Sequence, residues 1–303
     1  MAAIGSTHPL TESQPALLRA RQRAALMPDL LIEARRIVAT VATGWHGRRR
    51  RGAGENFWQF RPFVDGEATS RIDWRRSARD DFLYLRDREW EAAQTVFLWA
   101  DPSASMMFRS RMAEVSKESR ALVLALALAE LLARAGERIA YPGVLAPLTA
   151  RNAAERMAAA LMTHRPAGPA PDAGMRRFSE FVWISDFLDP LDEILARADM
   201  LARRGVRGHL IEVYDPVEEE FPYAGRTEFR DPESGARLTA GRAEALKADY
   251  ARLYQARRAA LRDHCRRLGW SFVSNRTDRL ASEALVAIHG QLSGVVQPPR
   301  HSA

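Results

Sequence analysis

Three kinds of hydrophobic pattern follow one another along the chain. Between Ala16 and Val41, apolar residues recur at Leu26, Leu30, Ala34, Ile37, Val38 and Val41, close to a helical stripe, with Pro28 and Asp29 as start signals. A helix with that stripe must pack against something. Over residues 55–93, ENFWQFRPFV and FLYLRDREW are aromatic-rich and partly alternating, as strands are, and Asp65-Gly66 between them is a turn signal. From Gln94 onward, apolar runs of strand length alternate with helical stretches. TVFLWA leads to a helix over 112–135, a short strand at Arg138 to Tyr141 and a helix from after Ala150 to about Met162. FVWISDF, a helix from Asp189 to Arg203 and GHLIEVYD follow. Phe221 to Leu238 holds the turn material Asp-Pro-Glu-Ser-Gly between two short strands and reads as a hairpin insert. A long charged helix from Arg242 to Leu268, the strand WSFVSN and a helix from Asp278 to about Leu292 complete the pattern.

Strand and helix in alternation predict an α/β fold: a doubly wound, mostly parallel sheet with helices on both faces, preceded by an N-terminal helix and a small β segment. The expected organisation is a flexible tail over 1–16, the N-terminal helix and β segment over 17–93, an α/β domain over 94–294 with its hairpin insert at 221–238, and a flexible tail over 295–303. No internal repeat is present.

Composition narrows the class. With 47% hydrophobic and 27% charged residues among 303, the chain is ordinary for a globular protein. Its most apolar stretch, Ala121 to Ala133, is too short to span a bilayer and carries Glu130, so it reads as a buried helix and no membrane insertion is expected. The first residues lack a basic start followed by an apolar core, which points to the cytoplasm. A single cysteine, Cys265, excludes an internal disulfide and a multi-cysteine zinc site. The formal net charge of +7 is spread along the chain, and its densest run, Arg48 to Arg51, reads as a solvated loop, so nucleic acid is not expected as a partner. The seven histidines are dispersed without metal-ligand spacing. Phosphate-loop, dinucleotide and nucleophile-elbow motifs are absent from the sequence, which moves the reading away from an enzyme.

One constellation carries chemistry. TVFLWA is almost wholly apolar, as a strand buried on both faces must be, and runs straight into Asp101, Ser103 and Ser105. A second apolar strand, FVWIS, ends in Asp186. Ligands in open α/β sheets bind at the carboxyl ends of strands, where strand order reverses. Should these two strands be neighbours, Asp101, Ser103, Ser105 and Asp186 converge on one edge. Hard oxygen ligands in that number suit Mg²⁺ or another hard divalent cation. Thr149, in the loop after the short strand, could add a hydroxyl. The competing reading is a metal-free loop, since Asp and Ser are also turn and cap residues.

Asp-x-Ser-x-Ser after a first strand, then a hydroxyl residue and a second aspartate, resembles the metal-ion-dependent adhesion site of von Willebrand factor A-type domains. The resemblance implies that Ser103 and Ser105 bind the ion directly, that Thr149 does so in one state, and that Asp101 and Asp186 act through water or by switching. An open coordination position would then accept a carboxylate from a partner protein. The run Gly54-Glu-Asn-Phe-Trp-Gln-Phe-Arg-Pro-Phe-Val-Asp-Gly-Glu, then Arg71-Ile-Asp-Trp-Arg-Arg-Ser-Ala-Arg, Glu89 and Asp-Pro-Ser-Ala-Ser-Met resembles the bacterial domain of unknown function family 58 over roughly residues 50–215. Glu67 and Phe63 depart from that family's usual aspartate and tyrosine, and neither touches the metal loop. The resemblance implies a von Willebrand A-like fold and association with MoxR-type AAA+ ATPases. Within the family words, Arg61, Arg71, Asp73, Trp74, Arg75 and Arg79 are structural or interaction residues. Asp73, Arg75 and Arg79 are expected to form a buried pin under Trp74 that joins the β segment to the sheet, with Phe57, Trp58 and Phe60 as that segment's core.

The function these readings lead to is a metal-dependent protein–protein binding module, partner or adaptor of a MoxR-type ATPase in chaperone-like complex assembly. Two alternatives stand beside it. A metal-assisted hydrolase acting on phosphoesters would need a general base that the sequence does not supply beyond the aspartates. A metal-free structural adaptor would bind through the hairpin insert or the β segment.

Overall fold

A strand without polar alternation has to be covered on both faces. β3 (Thr95–Ala100) is buried at its last five positions and β6 (Glu180–Ser185) along its whole length. In the computed structural model these two strands lie side by side at the centre of a six-stranded sheet. Residues 13–45, 57–63, 72–79, 82–88, 94–164, 166 and 174–292 are described.

With β4 (Arg138–Tyr141), β5 (Leu145–Leu148), β7 (Arg207–Tyr214) and β10 (Ser271–Arg276), the sheet order is β10-β7-β6-β3-β4-β5. All pairs are parallel except β4 with β5. The fold is therefore α/β with a mostly parallel sheet and flanking helices, as the alternation predicts. β5 has no counterpart in the sequence reading. It is short, half exposed and contains Pro147, which an edge strand tolerates because one side of its backbone needs no partner.

The helices are α3 (Lys117–Arg134), α4 (Ala153–Thr163), α5 (Leu191–Arg203), α6 (Pro216–Glu220), α7 (Lys247–Leu268) and α8 (Ala281–Leu292). α3 is buried on nearly every side, which its run of Leu and Ala makes possible. Between α6 and α7, β8 (Thr227–Arg230) pairs with β9 (Arg237–Ala240) in the expected hairpin. It closes at Ala240 rather than Leu238. Among the described residues no helix is long and apolar enough to cross a membrane.

The chain divides into two units, residues 1–43 with 94–303, and residues 44–93. This corrects the expected grouping of the first helix with the β segment. α1 (Ser13–Trp45) buries Met27, Leu30, Ala34, Val38 and Val41 in the core of the α/β unit, and Arg35 pairs with Glu130 of α3 and Glu155 of α4. Pro28 does not start the helix but lies inside it, on the exposed side. Of the expected tails over 1–16 and 295–303, residues 1–12 and 295–303 lie outside the described residues, and 13–16 are not tail but the start of α1.

In the smaller unit, β1 (Phe57–Pro62) pairs antiparallel with β2 (Tyr84–Arg88), and α2 (Trp74–Ser77) is a single turn. Asp73 caps that turn, its carboxylate accepting from the Arg76 amide at 3.0 Å. The buried pin is not observed: Trp74 is 63% exposed, and Arg75 and Arg79 are exposed. A carboxylate spent on capping a helix start needs no guanidinium partner. Arg71, the Asp65-Gly66 turn, the Arg48–Arg51 run and the side chains of Phe57, Trp58, Phe60 and Arg61 lie outside the described residues.

Candidate functional site

β3 pairs with β4 on one side and β6 on the other, so the sheet's strand order reverses at β3 and a crevice opens at its carboxyl end. Ala100 lies opposite Ile184, and the Asp101 amide donates to the Ile184 carbonyl at 2.9 Å. The buried Tyr141 hydroxyl donates to the Ala100 carbonyl at 2.8 Å and fixes the strand end from the β4 side. Asp101, Ser103, Ser105 and Asp186 therefore come together at one edge, as expected.

The Asp101 carboxylate is held by neutral donors. One oxygen accepts from the Ser103 amide at 2.9 Å, the turn that aspartate makes with the backbone two residues on, and the other from the Ser185 hydroxyl at 2.6 Å. Burial pushes the Asp101 carboxyl above its ordinary value, against the lowering effect of these donors, and the nearby Asp186 adds to the rise. The Ser103 and Ser105 hydroxyls lie 3.2 Å apart, and the Ser105 amide donates to Glu233 Oε1 at 2.8 Å, from the tip of the β8–β9 hairpin.

Asp186 is held differently. Lys117 Nζ donates to it at 2.8 Å and to Glu218 at 2.5 Å, with the lysine 1% exposed. Lys117 is the first residue of α3, where a cation opposes the helix dipole. Burial alone would lower its ammonium, and Asp186 and Glu218 outweigh that and hold it above the ordinary lysine value. Glu218 is in place because its carboxylate also accepts from the Asp215 amide in the capping box of α6. After Asp186 the chain turns through Phe187 at φ 53, a left-handed conformation that costs a bulky residue. The Arg257 guanidinium donates to the carbonyls of Phe187 and Asp189 and secures the turn.

Thr149 does not join the site. β4 and β5 form a hairpin, so Leu148 lies opposite Ile139 and Thr149 leaves the sheet, exposed, at the edge opposite Asp101. The antiparallel reversal carries it away from the carboxyl ends of the parallel strands.

The remaining residues fit a hard cation in part. Adjacent ligands around an octahedral Mg²⁺ with bonds near 2.1 Å stand about 3 Å apart, which the two serine hydroxyls match at 3.2 Å. Among the described residues no group of three or more His, Cys, Asp or Glu side chains could hold an ion, so the hydroxyls would have to take part. Both Asp101 oxygens already accept hydrogen bonds, from the Ser103 amide and the Ser185 hydroxyl. Asp186 already faces a cation, the Lys117 ammonium, which the sequence reading missed. A lysine opening the polar first turn of a helix with an apolar middle was the available signal, and Asp215-x-x-Glu218 was legible as a capping box.

Residues 59–260 match the family model described as "Protein of unknown function DUF58". The chain belongs to that family. Other similar proteins are an uncharacterized protein, Rv1480, of Mycobacterium tuberculosis (strain ATCC 25618 / H37Rv) and another, Mb1516, of Mycobacterium bovis. Each is 28% identical over 296 residues, covering 90% of this chain and 92% of the relative. Two solved structures bear a distant likeness to this DUF58 chain, both at 16% identity and both covering 67% of it. BatB from Bacteroides thetaiotaomicron, a conserved hypothetical protein, gives a TM-score of 0.40 with 98% of its chain covered. An aerotolerance-related membrane protein from Bacteroides fragilis NCTC 9343, carrying multiple mutations to serines, gives 0.38 with 100% covered.

Proposed function

We propose that this DUF58 protein is a protein-binding module that docks a partner's carboxylate at the carboxyl ends of β3 and β6, through a hard divalent cation such as Mg²⁺. The observation that carries the reading is the pair of serine hydroxyls, 3.2 Å apart beside the buried Asp101, at the point where strand order reverses. Ser103 and Ser105 would hold the ion and Asp101 would orient a water on it. When bound, the ion supplies a positive centre with an exchangeable coordination position. Asp189 and Glu233, beside Asp101 and Asp186, add negative potential that favours a cation. The likeness of Asp101-x-Ser-x-Ser to the adhesion site of von Willebrand A-type domains supports this use. The family resemblance further supports a MoxR-type AAA+ ATPase as the partner, in chaperone-like assembly in the cytoplasm.

Calorimetry with Mg²⁺ and Mn²⁺ tests the site itself. The full chain is expected to give a saturable heat that the Ser103→Ala/Ser105→Ala variant loses. Equal heats from both proteins, or none from the unaltered chain, would overturn the metal reading.

The Lys117–Asp186 pair favours a second reading, a metal-free adaptor. Here the buried ammonium does the electrostatic work of the ion at Asp186, and the hairpin presents the binding surface. Partner capture indifferent to EDTA and to Ser103→Ala, but lost when the 231–236 turn is shortened, would establish it.

A further inference from the structure

Beside the serine loop lies an open pocket of about 400 Å³, lined by the hairpin on one side and Tyr250 of α7 on the other. Its wall is aromatic. Phe221 meets Tyr250 at 4.7 Å, Tyr223 at 5.2 Å and Phe229 at 5.8 Å between ring centroids. Its rim carries the carboxylates of Asp189, Asp231 and Glu233, and among the described residues that line it the one basic side chain is Lys117. That ammonium is already matched by Asp186 and Glu218. The pocket is therefore apolar in its wall and negative at its mouth.

We propose that this pocket binds a guanidinium group, the arginine side chain of a partner protein. A flat, delocalised, weakly hydrated cation stacks on aromatic faces and forks onto carboxylates, and the pocket supplies both. The same unit shows that combination at work on one of its own residues. Arg258 lies 4.2 Å over the Tyr214 ring and 4.8 Å over Tyr254, and pairs with Glu212 at 2.7 Å and Glu219 at 2.9 Å while only 7% exposed. Tyr254 in turn stacks on Tyr250, at 5.8 Å and 14°, so the aromatic row that holds Arg258 runs on into the pocket wall.

The carboxylates at the mouth are not equivalent. Asp231 accepts from the Glu233 and Ser234 amides of its own turn, and Glu233 from the Ser105 amide. Among the described residues the Asp189 carboxylate has no hydrogen-bond donor, and burial together with Asp101, Asp186 and Glu233 pushes it above its ordinary value. A guanidinium forked onto Asp189 would relieve that repulsion. The pocket needs no ion at Ser103 and Ser105, so this inference goes beyond the preceding one and stands or falls apart from it.

The test titrates the full chain, in EDTA, with the capped tripeptides Ala-Arg-Ala, Ala-citrulline-Ala, Ala-Lys-Ala and Ala-Glu-Ala, followed by NMR shifts of the Tyr and Phe rings. Saturable binding of the arginine peptide alone is expected. Asp189→Asn/Glu233→Gln, which changes two exposed side chains, should weaken it about tenfold, the loss of one charge-assisted contact or more. Four results would each overturn the proposal: no binding of the arginine peptide, citrulline binding equally well, lysine binding equally well, or preference for glutamate. Binding unchanged in the double variant would do the same.

Discussion

Asp101 and Asp186 each follow an apolar strand, each stand at the carboxyl edge of one sheet, and are 9% and 6% exposed, yet one is held by hydroxyl and amide donors and the other by an ammonium. A carboxylate held by neutral donors has no opposite charge from those donors. One held by a buried lysine is matched from within. At the β3 end the described residues put no cation against the carboxylate, while at the β6 end one ammonium is shared by Asp186 and Glu218. Two like signals in the sequence end in different electrostatic surroundings because of what arrives from α3 and α6.

Breaking that shared ion pair should cost most. Lys117→Met leaves Asp186 and Glu218 facing each other in a buried site, and removing one partner of a buried ion pair costs about 3–5 kcal/mol. Urea unfolding should show that loss, with part of it regained when Asp186→Asn is added. A Lys117→Met protein as stable as the unaltered one would erase the distinction between the two aspartates. Asp101→Ala strands the buried Ser185 hydroxyl and the Ser103 amide, a loss of about 1–3 kcal/mol by the same measurement. If that loss matched the Lys117→Met value, Asp101 would be as structural as Asp186. Glu233→Ala is expected to change stability least, within about 1 kcal/mol, because its bond to the Ser105 amide lies on an exposed hairpin tip where water can replace it. A larger loss would mean that the hairpin is part of the fold and not a surface laid over the site.

The strands and helices from Gln94 onward were legible because their periods are strong: buried strands read as unbroken apolar runs, and α3 as a long apolar stretch with charged ends. β5 and α6 were not, since four half-exposed residues with a proline and a helix of five residues carry no period. Missing β5 misplaced Thr149, because a hairpin reverses direction where a helical crossover would not. The smaller unit was legible as strands but not as a pin: Asp73 has arginines near it in sequence, and only the capped turn reveals that its carboxylate serves a backbone amide.

What the sequence determined by itself was the class of fold, the family words, and the delivery of Asp101, Ser103, Ser105 and Asp186 to strand ends, all of which follow from local periodicity and from the rule that parallel strands present their carboxyl ends together. Tertiary structure alone decided which charges meet there. Lys117 and Glu218 are 101 residues apart and Ser105 and Glu233 are 128 apart, and no local pattern encodes such meetings. They arise because the packing of α3, α6 and the hairpin leaves these groups buried or half-buried side by side, and polar groups removed from water must find partners wherever the fold has put them.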